Sequence, residues 1–207
     1  MRKGMQLISI LLIIAILAIP AGAASFTPSV EQKGAPTLSE LTDESGKSVA
    51  AIVTDAEGRE VMSVSSDSVT VTSVADIQEA PEEVQAAMEE AYKSISESKS
   101  LEVAAPALVD ALEESESVLN VSDLVVRDLI HVAVDEDVAK AMEEGASITL
   151  KFDMGMEPDE LLIVMVYVDG EWVVIDADKV EIHENGEVTV TFDGKLGPVA
   201  CVVEKTE

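Results

Sequence analysis

The sequence predicts an α+β chain, in which a small β-rich N-terminal part and two amphipathic helices precede a C-terminal antiparallel β-sandwich. Three observations carry this. Short apolar segments separated by turn residues recur from Ile148 to Val203, the pattern of an antiparallel sandwich. Val84, Ala87, Met88, Ala91, Tyr92 and Ile95 step by three and four residues, which puts one apolar stripe on a helix. Between residues 48 and 74, valine-rich stretches are flanked by the turn signals Asp43-Glu44-Ser45-Gly46 and Asp55-Ala56-Glu57-Gly58, the composition of short strands.

The first element is a leader. Met1-Arg2-Lys3 is followed by an apolar run from Leu7 to Ile19 and then by Ala21-Gly22-Ala23-Ala24. A basic start, an apolar stretch and small residues, in that order, make a signal peptide over 1–24. The run of about 13 residues is short for a hydrocarbon core of roughly 30 Å. Residues 25–36, with Pro28, Gly34 and Pro36, read as a linker.

Residues 37–121 form the β-rich and helical region. Strands are expected over Ser48–Thr54, Val61–Val64 and Val69–Val74. Pro81 suits a first helical position and Glu82 and Glu83 suit the positive end of the dipole, so the first helix covers Pro81–Ser98. A second fits Pro106–Glu114, with Leu108, Val109 and Leu112 inward.

Residues 122–205 form the sandwich. Leu124–Val134 reads as a strand, and its alternation puts Arg127 and His131 on one face. Asp135–Glu144 reads as a short helix stopped by Gly145. Ile148, Leu150 and Phe152 alternate with polar residues. Leu161–Val168 is apolar on both faces, and Asp169-Gly170 turns it into Trp172–Ile175. Val180–His183 and Val188–Phe192 flank Asn185-Gly186, a strong hairpin signal. Pro198–Val203 closes the sheet.

The Ile148–Phe152 strand, the apolar strand into Asp169-Gly170-Glu171-Trp172, the Asn185-Gly186 hairpin and the closing Pro198-Val199-Ala200 resemble the immunoglobulin-like β-sandwich modules of exported and cell-surface proteins of Gram-positive bacteria, clostridia especially. The resemblance covers less than half of the mature chain. It implies a secreted or surface context with a binding or structural role, no assigned activity and no particular functional residue.

Charge narrows the partners. The chain holds 41 acidic and 13 basic residues, a net charge of −28, and loss of Arg2 and Lys3 takes this to about −30. Nucleic acid and anionic membranes are repelled by such a chain. The single cysteine, Cys201, has no partner for an internal disulfide, so the fold rests on aliphatic packing.

No catalytic residues are expected. Gly46-Lys47-Ser48 suggests a phosphate loop, but Leu41 stands where such a loop needs glycine. His131 and His183 are the two histidines, and neither sits in a recognisable nucleophile motif. Calcium is the one ion left open, with Asp153, Glu157 and Asp159 as candidate ligands crowding one loop; solvated loop carboxylates are the alternative. Trp172, the lone tryptophan, is the candidate binding residue, but its alternation with Val174 favours a core or inter-sheet position over an exposed one. The expected function is that of a non-enzymatic secreted or cell-surface protein binding a protein or glycan, or acting structurally. The alternative is an inhibitor or chaperone-like partner of a secreted enzyme, whose mark would be an exposed apolar patch around Tyr92 and Ile95.

Overall fold

The computed structural model describes residues 36–114 and 118–205. The expected signal peptide 1–24, and the expected linker except Pro36, lie outside the described residues.

The described chain is mostly β, with four helices and three antiparallel sheets. Seven strands and three helices come from its first part: β1 (Thr37–Ser39), β2 (Leu41–Thr42), β3 (Ser48–Val49), β4 (Ala51–Thr54), β5 (Glu60–Val64), β6 (Val69–Ser73), α1 (Glu82–Ser96), α2 (Leu101–Ala104), α3 (Ala107–Glu114) and β7 (Leu124–Val134). They are followed by α4 (Glu136–Glu143), β8 (Ser147–Asp153), β9 (Leu162–Val168), β10 (Glu171–Val174), β11 (Val180–Ile182), β12 (Glu187–Asp193) and β13 (Pro198–Glu204). One sheet runs β11-β12-β8-β4-β5, with β1 also on β8. The second runs β10-β9-β13-β7-β6, and β2 pairs with β3 alone.

Strands of 37–73 and of 122–205 therefore share both large sheets. β4 and β1 lie end to end along one edge of β8, pairing with its residues 147–150 and 151–153 respectively. β6 pairs with β7. The sheets do not separate at 121/122, because each half supplies strands whose edges the other half completes.

β9 explains the arrangement. Five consecutive residues, Leu162–Val166, are buried. Strand side chains alternate between faces, so such a run needs an apolar partner on each. Leu162, Val164 and Val166 enter a core with Val53, Ile148, Leu150, Phe152, Val190 and Phe192 from the other large sheet. Ile163 and Met165 enter a second core, with Met88, Ala91 and Ile95 of α1, Leu101 of α2 and Leu108 and Leu112 of α3. The β10-β9-β13-β7-β6 sheet is thus the middle layer. Each fully buried Leu or Ile contributes about 1.5–3 kcal/mol, far more than the few tenths by which residues of α1 differ in helix propensity. The helices are held by this packing.

β7 departs from the expected alternation. Cys201 of β13 lies opposite Asp128 and Val202 opposite Val126, so Arg127 is the extra residue of a β-bulge. Before it, Leu124 and Val126 face the helices; after it, Leu129 does so, while Ile130 and Val132 enter the core between the sheets. The bulge thereby corrects the expectation that Arg127 and His131 share a face. The Arg127 guanidinium turns towards the β8–β9 connection, donating to the Met154 carbonyl and the Met156 Sδ. Its Nε lies 3.2 Å from Oδ2 of Asp128, a carboxylate only 3% exposed.

α1, α3 and α4 fall within the segments their sequence patterns mark as helical. Pro81 is the residue before α1 rather than its first helical residue. Asp135 caps α4 by accepting from the Val138 N–H at 3.0 Å. α2, β1 and β2, each two to four residues long, were not anticipated. No helix among the described residues is long and apolar enough to cross a membrane.

Candidate binding groove

A concavity of about 830 Å³ lies between α4 and the β1–β5 segment. One wall is the end of β5, Met62 to Val64, running into Ser65 and Ser66; the other is α4 and its C-terminal cap, through Val138, Ala141 and Glu144. Fixed connections build both walls. The Asp135 N–H donates to the Ser68 carbonyl at 3.0 Å, pinning the start of α4 to the connection between β5 and β6. Val138 is buried in the core between the sheets, which holds the helix from its inner side.

A third side comes from the β2–β3 hairpin, which Asp43 organises. Its Oδ1 accepts from Ser45 Oγ at 2.7 Å, the Lys47 N–H at 2.8 Å and the Ser45 N–H at 3.0 Å. Oδ2 accepts from Ser63 Oγ of β5 at 3.0 Å. Gly46 turns the hairpin with φ 83°, a conformation suited to glycine. The hydrogen bonds from Ser45, Lys47 and Ser63 favour the ionised form and bring the Asp43 carboxyl down to about 2. A carboxyl whose folded value lies below its unfolded one contributes stability above the unfolded value, and this is lost as pH falls through the folded value. Asp43→Asn should therefore lower the melting temperature at neutral pH, and its difference from the parent should shrink as pH falls from about 4 to about 2. A difference independent of pH in thermal melts would contradict this role.

The groove is mixed in character. Glu40, Asp135, Asp137 and Glu144 line it together with Lys47, Lys140 and several serines. Asp135 is held below the ordinary carboxylate range by hydrogen bonds from Ser68 and Val138. It is a charged, hydroxyl-rich cleft with an apolar base at Val64 and Val138. Such a lining can hold a polar partner by hydrogen bonds and orient it by charge.

A second region centres on His131, which with Lys195 and Leu196 lines two smaller cavities of about 560 and 420 Å³. Burial lowers the His131 pKa and so favours the neutral ring. Its Nδ1 is buried with no hydrogen-bond partner among the described residues. Nearby, Tyr167 donates to Glu90 at 3.3 Å and Lys195 donates to Asp169 at 3.1 Å. His183 is elsewhere, with Nε2 2.7 Å from Thr189 Oγ1.

The residues singled out from sequence lie apart from the groove. Trp172 is only 5% exposed and sits under the helices. Its Nε1–H donates to Ser94 Oγ at 2.8 Å, and its ring lies 5.0 Å from that of Tyr167. Both the apolar face and the polar handle are engaged within the fold, so Trp172 takes the core position its alternation with Val174 favoured, and the exposed binding anchor is set aside. Asp153 ends β8 and is exposed, opposite Thr37 and Glu187. Glu157 and Asp159 are exposed in the following loop, where the Glu157 N–H donates to Glu160 Oε2 at 2.8 Å. Among the described residues no three His, Cys, Asp or Glu side chains gather as a cation site. Ile95 is fully buried, so the patch sought around Tyr92 and Ile95 reduces to Tyr92, 37% exposed.

Cys201 is a free thiol buried between the sheets, and burial pushes its pKa up to about 12. The thiolate is the reactive form. A thiol reagent at about pH 8 should leave the native chain unlabelled and label it once denatured; labelling of the native protein would place Cys201 outside the core.

Neither the groove nor the Arg127–Asp128 pair was found from sequence. The pair's only trace is two adjacent charges inside an apolar strand; the groove joins segments about a hundred residues apart and leaves no local motif. No family model, curated protein or solved structure matches the chain.

Proposed function

We propose that the chain is exported, loses residues 1–24, and serves as a non-enzymatic secreted or cell-surface module that binds a protein or glycan in the groove between α4 and β1–β5. In this reading the two large sheets are an immunoglobulin-like sandwich with an added helical layer. The observation that carries the proposal is the groove itself: a cleft of about 830 Å³ with walls anchored by Asp43, Asp135 and Val138, and with hydrogen-bonding groups along it. The acidic chain is kept from nucleic acid and anionic lipid by its charge.

Retention of mucin glycans or of mucin core peptides by immobilised residues 25–207 tests this. Binding is expected, and Ser66→Trp, an exposed wall position, should abolish it by filling the groove. Retention of neither ligand, retention untouched by Ser66→Trp, or substrate turnover by the purified chain would overturn the proposal.

A further inference from the structure

We infer that the groove takes an extended basic peptide segment, which adds as a new strand to the free edge of β5; this rests on the groove reading above. β5 ends its sheet and is bonded to β4 on one edge, with no strand on the other among the described residues. An edge strand presents a row of backbone donors and acceptors, which an extended chain can satisfy while its alternate side chains enter neighbouring pockets. The irregularity in β5 lies at its start, where Val61 is skipped between Glu60 and Met62 in the pairing with β4. Met62–Val64, the part that walls the groove, keeps a regular register.

Charge selects the partner. Glu40, Asp135, Asp137 and Glu144 outnumber Lys47 and Lys140 along the lining, and the whole chain carries a net charge of −28. A basic segment is drawn to this surface and an acidic one is turned away. No aromatic ring is among the residues lining the groove, so a sugar finds no stacking platform there, whereas a peptide backbone needs none.

Fluorescence anisotropy of residues 25–207 with a labelled short peptide alternating lysine and valine tests the inference. Binding is expected to weaken with added salt. It should fall by about ten-fold or more in Glu40→Lys/Glu144→Lys, a variant whose folding is verified by its melting curve. N-methylation of one of the two alternating sets of peptide amides should cause a comparable loss, because it blocks strand addition without altering charge. Equal binding of a glutamate–valine peptide, undiminished binding of both N-methylated peptides, or no binding of the lysine–valine peptide would overturn the inference. If mucin ligands are still retained in a Ser66-dependent way while the basic peptide fails, the groove reading stands and the added strand alone falls.

Discussion

Replacing Asp128 by alanine should destabilise the fold by about 3–5 kcal/mol, the range for removing one partner of a buried ion pair. The carboxylate is 3% exposed and faces the Arg127 Nε at 3.2 Å. The guanidinium is itself mostly covered, its side chain 14% exposed, and its other nitrogens are committed to Met154 and Met156. Without Asp128 a positive charge remains between apolar layers with no carboxylate ion-paired to it among the described residues, and the desolvation penalty is uncompensated. Replacing both residues, as in Arg127→Met/Asp128→Leu, removes the two charges together and should cost much less than the single change. Denaturant midpoints for the two variants check this. A single substitution costing under about 1 kcal/mol would mean that water reaches the pair. The bulge makes the pair possible: it spends one extra residue of β7 so that Arg127 can reach the loop closing one end of the core.

Trp172→Ala should cost about 3–5 kcal/mol, as large-to-small changes of buried aromatics do. The indole packs in the core between the middle sheet and the helices, tilted at 51° against Tyr167. Truncation opens a cavity where α3 meets β10 and leaves Ser94 without its donor. Trp172→Phe keeps most of the volume and loses the hydrogen bond to Ser94, so about 1 kcal/mol is expected. The ratio between the two variants in thermal or chemical unfolding distinguishes packing from hydrogen bonding. A mild Trp172→Ala would show that the helices are held without this ring.

Much of the β pattern was legible locally. Alternation in Ile148–Phe152 and Val188–Phe192 placed β8 and β12, and their apolar residues meet in one core. The continuous apolar run of β9 indicated burial on both faces, which the two cores explain. The Asn185-Gly186 signal sits in the turn between β11 and β12, with Gly186 at φ 84°. Of the stripe on α1, Met88, Ala91 and Ile95 are buried, while Tyr92 at its edge is exposed. What local pattern could not supply was pairing. Strands β1 and β4 complete the edge of β8 about a hundred residues later, and no feature within either segment names that partner. The bulge at Arg127 reverses the facing of every later residue of β7, and an alternation rule carried through it misplaces His131. The groove depends on the same distant pairings, so its residues carry no shared motif.

The organisation around the middle sheet is tested most directly by following denaturant unfolding with two signals, Trp172 emission for the sheet–helix core and far-ultraviolet circular dichroism for the sheets. One chain sharing strands across both large sheets, with a core on each face of β10-β9-β13-β7-β6, should unfold in a single transition with coincident curves. An emission change completed at lower denaturant than the loss of β signal would show that the helical layer detaches on its own and would contradict that organisation.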